Sequence, residues 1–509
     1  MFNHTQTPPT SVLTRPVTAI TNARKLDFTV LAAIFVVSRL IYFGVGVRPD
    51  PSPLSNFWQY LDPELLRHSL WQSLLYLREQ PPGFNLFLGV ILKLFSQDGA
   101  SVFIIVYWLL GLALGFSLFA LMVDLHVRRP IALLVTGGFL VSPVTVLYEN
   151  WLLYSFPVSA LLGISAWALY RFLRDRHSSH AAIFFCCLFL VASIRGIYHL
   201  LWFLLIAAAL IVVARSDWRK IVLAGGLPAV LLTAIYAKSF VLFGDFIIGS
   251  QTFAKTGYAD IVQTQVTPEF LRNLADKGTI SGILLLPAEI SEIERYAPFV
   301  PQPALTGHAA LDQVRKSSGE VNWNSLWMAQ IAEKLYKDAR IVTKLYPDLY
   351  FNQLVHNFKV YLWPADYTYP FLPHLRGRAS DAVRLIGILK WYDCLTTGIF
   401  DTHGHPWITL LVLPACVLVG IIELLAWLRK RAFDSQIVNA RKITILFALF
   451  NIGYCGAVTI MLVKGDQNRY RDEVSALYAI LLGLLLTAVW QRTKMFRARL
   501  AANLVEGRR

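Results

Sequence analysis

Phe84-Asn-Leu-Phe-Leu-Gly-Val-Ile-Leu-Lys93-Leu-Phe95 is the stretch whose reading fixes the topology. A helix needs about 20 mostly apolar residues to cross a bilayer, and this run has about 12. It reads as a re-entrant or interfacial helix. If it crossed, every later loop would change sides.

Charge decides between the two readings. Longer apolar runs lie near 28–47, 101–123, 130–147, 151–170, 181–198, 200–214, 221–243, 405–428, 443–463 and 474–491. With residues 84–95 refused as a span and the N-terminus inside, the inner segments collect Arg15, Arg24 and Lys25; Arg128 and Arg129; Arg171, Arg174 and Arg176; Arg215, Arg219 and Lys220; Arg429, Lys430, Arg431, Arg441 and Lys442; and the set from Arg492 to Arg509. That is 22 basic residues against six acids, a surplus that accounts for the whole net charge of +15. Basic residues gather in short cytoplasmic loops. Counting the short run as a span would place five of these clusters outside.

Composition agrees. The chain has 509 residues, 56% hydrophobic and 16% charged, against roughly 25% charged for a soluble average. The polar stretch 244–403 holds 15 basic and 16 acidic residues, so the basic surplus is not a nucleic-acid footprint. The five cysteines (Cys186, Cys187, Cys394, Cys416 and Cys455) show neither metal spacing nor a disulfide framework. The polar start up to Asp27 is not a cleavable signal peptide, so the first span is expected to stay as an anchor.

The expected architecture is an all-α membrane protein of about ten transmembrane helices, with amphipathic helices on its outer surface. Its parts are a cytoplasmic tail (1–27), a membrane core (28–243) with an outer loop (48–83), an outer-face, mostly helical region (244–404), a three-helix membrane segment (405–491) and a basic cytoplasmic tail (492–509). Within the outer parts, Asp62–Arg78, Asn322–Tyr346 and Asp348–Leu362 read as amphipathic helices, with Pro347 dividing the last two.

Ionisable groups within or at the mouth of a bundle are the default place to look for function. Asp50, held between Pro49 and Pro51, is a stiffened carboxylate suited to take a proton from an acceptor; a solvated turn residue is the plainer reading. Asp62, followed by Pro63 and Glu64, fits a second candidate base or an ordinary helix N-cap. Glu149 in Tyr148-Glu149-Asn150-Trp151 fits active-centre support or a turn acid among interfacial aromatics. Arg195 and Lys238 place cations on the outer side, against the inner-loop trend, and the loop Lys464-Gly-Asp466-Gln-Asn468-Arg469-Tyr470-Arg471-Asp472-Glu473 brings three cations and three acids together there. A phosphate would give them a purpose; snorkelling or a self-neutralised hairpin would also account for them. Arg39, inside the first span, requires a carboxylate or phosphate partner. Gln80-Pro81-Pro82-Gly83 is a rigid helix entry or simple punctuation.

The order of these motifs resembles the GT-C superfamily of polytopic glycosyltransferases, which includes protein mannosyltransferases and aminoarabinose transferases. The likeness rests on Arg48-Pro-Asp50, Tyr60-Leu-Asp62-Pro-Glu64, Gln80-Pro81-Pro82-Gly-Phe-Asn85, Tyr148-Glu149-Asn150-Trp151 and Asn468-Arg469-Tyr470-Arg471. It implies an inverting transferase that takes a sugar from a polyprenyl-phosphate donor to a lipid, glycan or protein acceptor, working in the bilayer at the outer face of a bacterial inner membrane. By that resemblance Asp50 or Asp62 is the base, Glu64 and Glu149 support the acceptor or active centre, and Arg469, Arg471, Lys464, Arg195 and Lys238 hold the donor phosphate. No cofactor or metal is expected, since the Trp-Trp-Asp signature of the oligosaccharyltransferase branch is missing, as is an adjacent Asp-Glu pair after the first span. A flippase for a lipid-linked saccharide and a non-catalytic assembly protein of the same fold are the alternatives. A flippase would favour midplane charges and repeated halves, and neither is visible.

Overall fold

A computed structural model describes residues 17–95, 99–244, 246, 251–362, 407–430, 436–463, 465 and 467–506. The protein is an all-α membrane protein. Among the described residues no strand forms, and the only extended pairings are isolated bridges of Asp50 with Trp151 and Arg315 with Val321.

All ten expected segments are helical: Val17–Gly44, Gly99–Asp124, Arg129–Val141 continued by Pro143–Glu149, Ser155–Asp175, Ser178–Ile194, Leu200–Val213, Trp218–Phe243, Trp407–Lys430, Gln436–Leu462 and Ser475–Glu506. Six are long and apolar enough to cross a membrane, and the bent Arg129–Glu149 pair makes a seventh. Two of the other three are shorter helices. Ser178–Ile194 and Leu200–Val213 have 17 and 14 residues, about 25 and 21 Å of helix. Val412–Ala426 is the apolar part of the eighth segment.

The run 130–147, expected as one helix, turns by 51° at Ser142. Pro143 brings no N–H and breaks the ladder there. The carbonyls released by the break are taken up from the first helix: Arg39 Nη1 donates to Leu140 O at 2.6 Å and Tyr42 Oη to Val141 O at 2.9 Å.

Ser155–Asp175 is the central helix, with 83% of its membrane-length window buried. It packs against Gly99–Asp124, Ser178–Ile194, Gln436–Leu462 and Ser475–Glu506. Small residues allow the approach, because lipid offers no hydrophobic drive and packing must hold the helices together. Ser159 Oγ lies 3.2 Å from Ser475 Oγ, and a Cβ on Gly163 would stand 2.4 Å from Leu114 Cδ1.

Pro82–Leu94 does not traverse the bundle. Its start packs on Ser193, at the end of Ser178–Ile194, and the next helix begins at Gly99 with Ala100 and Phe103 beside Asp50. Both ends of the short helix therefore lie at the same end of the bundle. The opposite end carries the basic loops, tied by Arg174–Asp124 (3.0 Å), Arg176–Asp217 (2.9 Å), Lys220–Asp217 (2.8 Å) and Arg129–Asp27.

Residues 251–362 build a second core around Val262, Leu271, Ile283, Met328, Ile331, Leu335 and Val342. Helix Leu326–Leu345 starts four residues later than expected, because Ser325 caps it by accepting from Met328 N at 3.3 Å. Asn324 is used elsewhere: its Oδ1 accepts from Arg78 N at 2.8 Å. Asp348–Leu362 is helical over the expected range. The expected helix Asp62–Arg78 is broken at Ser69 into Pro63–His68 and Leu70–Leu75.

Candidate active site

The segment Glu149–Ser155 organises the site. Pro143–Glu149 ends at Asn150, whose Nδ2 turns back to Val146 O at 2.8 Å. The next residues run irregularly until Ser155 starts the central helix. Buried irregular backbone must find partners for its polar groups. Asp50 N donates to Asn150 O (2.7 Å) and Leu152 N donates to Asp50 O (3.0 Å). Tyr60 and Tyr107 donate their hydroxyls to Leu152 O (3.1 Å) and Leu153 O (3.0 Å). Each carbonyl is thus paired with chain from a different part of the sequence.

Asp50 is half-buried in this frame. Its Oδ1 accepts from Ser52 N at 2.9 Å, while its Oδ2 is buried and accepts no hydrogen bond among the described residues. It borders a narrow cleft of about 20 Å³ with Tyr107, Glu149 and Trp151. Glu149 is committed to Arg39 as a two-pronged ion pair, Arg39 Nε to Oε1 at 3.2 Å and Nη2 to Oε2. Arg39 therefore has the carboxylate that its position requires.

Three residues beyond Trp151, Tyr154 grips two cations. Its hydroxyl accepts from Arg195 Nη1 at 2.6 Å and Arg469 Nη1 at 3.2 Å, and donates to Gln59 Oε1. Arg195 lies between the rings of Tyr154 (4.4 Å) and Tyr470 (4.2 Å), and Arg469 is 5.2 Å from the Tyr470 ring. Glu473 Oε1 is 2.9 Å from Arg195 Nε, within ion-pairing distance but off the N–H axis. All of these groups are buried. Arg195, Arg469 and Glu473 thus form a buried charged cluster in low dielectric, where an arriving anion interacts strongly with the two guanidinium groups. Burial raises Glu473, with Arg195 opposing the shift, and pushes neighbouring Asp472 up to about 7.

The remaining expected residues lie elsewhere. Asp62 caps Pro63–His68: its Oδ1 accepts from Glu64 N (3.0 Å) and Ser317 Oγ (2.6 Å), and its Oδ2 from Ser317 N (2.7 Å). Its carboxylate ties the outer region to the loop after Asp50. Glu64 is on the surface with Arg67 and His68. Lys238 donates to Leu77 O at 2.7 Å, and Arg471 to Tyr361 O. Lys464 lies outside the described residues. Tyr154, Gln59 and Tyr470 were missed as site residues, because aromatics near a membrane surface read as interfacial belts. Gln80-Pro81-Pro82-Gly83 acquires a reason: a Cβ on Gly83 would stand 2.7 Å from Ser193 O, so only glycine lets this helix start against the turn that carries Arg195.

No family model matches the chain, and no curated protein matches it. Among solved structures it is similar to an oligosaccharyltransferase from Archaeoglobus fulgidus, solved in complex with zinc and sulfate, at 10% identity and a TM-score of 0.33. The match covers 93% of this chain and 51% of that one, so this chain spans about half the length of that enzyme.

Proposed function

We propose that the protein is an inverting membrane glycosyltransferase of the GT-C kind, which takes a sugar from a polyprenyl-phosphate donor at the outer face of a bacterial inner membrane. One observation carries the reading. A single short segment holds at one end a carboxylate with a buried oxygen, Asp50 Oδ2, unpartnered among the described residues, and a few residues on holds a buried pair of guanidinium groups, Arg195 and Arg469 on Tyr154. A glycosyl transfer from a phosphate needs a base for the acceptor and fixed positive charge for the leaving group.

In the proposed step, Asp50 Oδ2 takes the proton of an acceptor hydroxyl. The acceptor oxygen forms the new bond to the anomeric carbon, whose bond to the phosphate oxygen breaks. The electron pair leaves on the phosphate, toward Arg195 and Arg469, where it competes with Glu473 for the guanidinium of Arg195. Asp62, with both oxygens occupied, acts as a clamp. No step uses a metal ion.

The test uses the full chain in nanodiscs with radiolabelled polyprenyl-phosphate glucose, mannose and arabinose. Asp50→Asn is expected to lower the rate by about 10²–10⁴, Arg469→Gln by about 10², and Asp62→Asn to leave transfer near wild type. Inactivity of the wild type with every donor, or full activity of Asp50→Asn, refutes the reading. Movement of intact donor across the bilayer without cleavage would replace it with a flippase.

A further inference from the structure

A second cleft lies away from Asp50, among the described residues between the outer region and the end of a membrane helix, with a volume of about 610 Å³. Its walls come from four helices: Gln251–Gln265, Leu326–Leu345, Asp348–Leu362 and the end of Gln436–Leu462. Three tyrosines on three of these helices, Tyr258, Tyr336 and Tyr350, line it and are half-buried. Their rings gather at 5.3 Å (Tyr258–Tyr336) and 6.3 Å (Tyr258–Tyr350).

The three hydroxyls are employed differently. Tyr350 Oη is spent on Met461 O at 2.7 Å. Neither Tyr258 nor Tyr336 donates its hydroxyl to any group among the described residues. The floor is fixed: Asn357 Nδ2 donates to Ile460 O (2.9 Å) and Val463 O (2.8 Å), and a Cβ on Gly456 would stand 3.5 Å from the Tyr361 ring. Lys255 and Glu333 pair at 2.9 Å on the same helices. The rigid floor adjoins the cationic loop, because Gln467 Nε2 donates to Val463 O at 2.6 Å, two residues before Arg469.

We infer that this cleft is a saccharide site and holds sugar rings of the acceptor beyond the hydroxyl that reaches Asp50. Aromatic faces that keep free hydroxyls suit a ligand with apolar C–H faces and many hydroxyl groups, and a purely apolar ligand would leave the phenols unmatched. The volume lies within the range of a small-ligand pocket and accommodates more than one sugar ring. The exposed rim of Met461 and Leu462, with Phe351 and Phe358 exposed on the neighbouring helix, places the mouth at the bilayer surface. The word acceptor rests on the transferase reading; the saccharide chemistry rests on the cleft alone.

The test is binding without turnover. Saturation-transfer NMR is run on the full chain in nanodiscs with maltotriose, chitotriose and mannotriose, and no donor present. At least one trisaccharide is expected to receive transfer on its ring protons. Tyr258→Ala with Tyr336→Ala should weaken it by about tenfold or more, and the matching Phe pair by less, since the rings remain. Binding is read with no donor present and no turnover, so loss of transferase activity and loss of this site are told apart. A gel-filtration profile and an unfolding midpoint like those of wild type qualify each variant, and the Phe pair serves if the Ala pair fails to fold. No transfer to any trisaccharide, equal transfer in wild type and the Phe and Ala pairs, or a co-purifying phospholipid that only the Ala pair releases overturns the inference.

Discussion

Removing the charge of Glu149 tests the buried frame most sharply. Arg39 is 5% exposed and Glu149 1% exposed. The guanidinium places two N–H bonds on Glu149, one on Leu140 O and one on Ser38 Oγ, with the Phe35 ring 3.8 Å beneath it. Glu149→Gln keeps the shape and leaves this cation uncompensated, which costs about 3–5 kcal/mol. Arg39→Met does the same to the carboxylate. The pair Arg39→Met with Glu149→Leu removes both charges. Such replacements are neutral or stabilising by about 1–4 kcal/mol, offset here by the orphaned Leu140 carbonyl at about 1–3 kcal/mol. The double variant should therefore recover most of the stability that each single variant loses. Reversible unfolding in mixed micelles, measured for wild type, both single variants and the double variant, reads the coupling directly. Additive losses, or a Glu149→Gln variant within about 0.5 kcal/mol of wild type, would refute the reasoning. Transfer activity in the refolded double variant then separates the two roles of Glu149: activity that stays lost when stability returns marks it as part of the active centre.

Gly83→Ala puts a methyl 2.7 Å from Ser193 O and 2.5 Å from Ser193 Oγ; it should lower stability by about 1–3 kcal/mol and displace the turn before Arg195, read as a lower unfolding midpoint together with a raised donor KM. Lys316 donates to Phe57 O at 2.8 Å, and burial pulls its amine down to about 8, below the free value of about 10.4. The unfolded chain binds more protons between those values, so stability should rise as the pH climbs from about 8 to about 10, and Lys316→Met should flatten that rise in a series of unfolding midpoints. Glu79 accepts from Thr252 N at 3.1 Å and from Thr252 Oγ1 at the start of Gln251–Gln265, and burial raises its carboxyl. Its charge contributes little there, so Glu79→Gln should cost under about 1 kcal/mol and Glu79→Ala about 1–2 kcal/mol; equal losses in chemical unfolding would contradict this. A carboxyl raised on folding contributes stability that falls as the pH rises through its folded value, and Glu79→Gln should remove that fall.

The helices were legible because each is written in one contiguous apolar run, and the refusal of Phe84–Phe95 followed from length and charge alone. The bend at Ser142 was not, because Pro143 lies inside a run that scores as a single span; only the donors Arg39 and Tyr42, about a hundred residues away, make the break stable. Asp50 and the two cations Arg195 and Arg469 could be named from their place at helix ends. The reading of Asp62 stayed divided, since the group that engages it, Ser317, is 255 residues further along. Tyr154 carried no signal, because a buried phenol and an interfacial one look alike in sequence.

The pattern of partners explains why tyrosine recurs around the site. A carboxylate and two guanidinium groups can be held near each other at the end of a bundle only by backbone that leaves the helix, and such backbone brings unpaired carbonyls into a region short of water. Tyr42, Tyr60 and Tyr107 supply one neutral donor each, to Val141, Leu152 and Leu153. A serine would be too short to reach from a neighbouring element, and a lysine or arginine would add charge beside Asp50 and lower the basicity that the proposed transfer requires. Phenols reach, donate and remain neutral, so the frame is satisfied without altering the charge it carries. Tyr154 breaks the series: it accepts from Arg195 and Arg469 and donates its own hydroxyl to Gln59 Oε1. The same residue type thus fixes the frame on one side of the segment and orients the cations on the other, and the chemistry proposed for the site depends on that division.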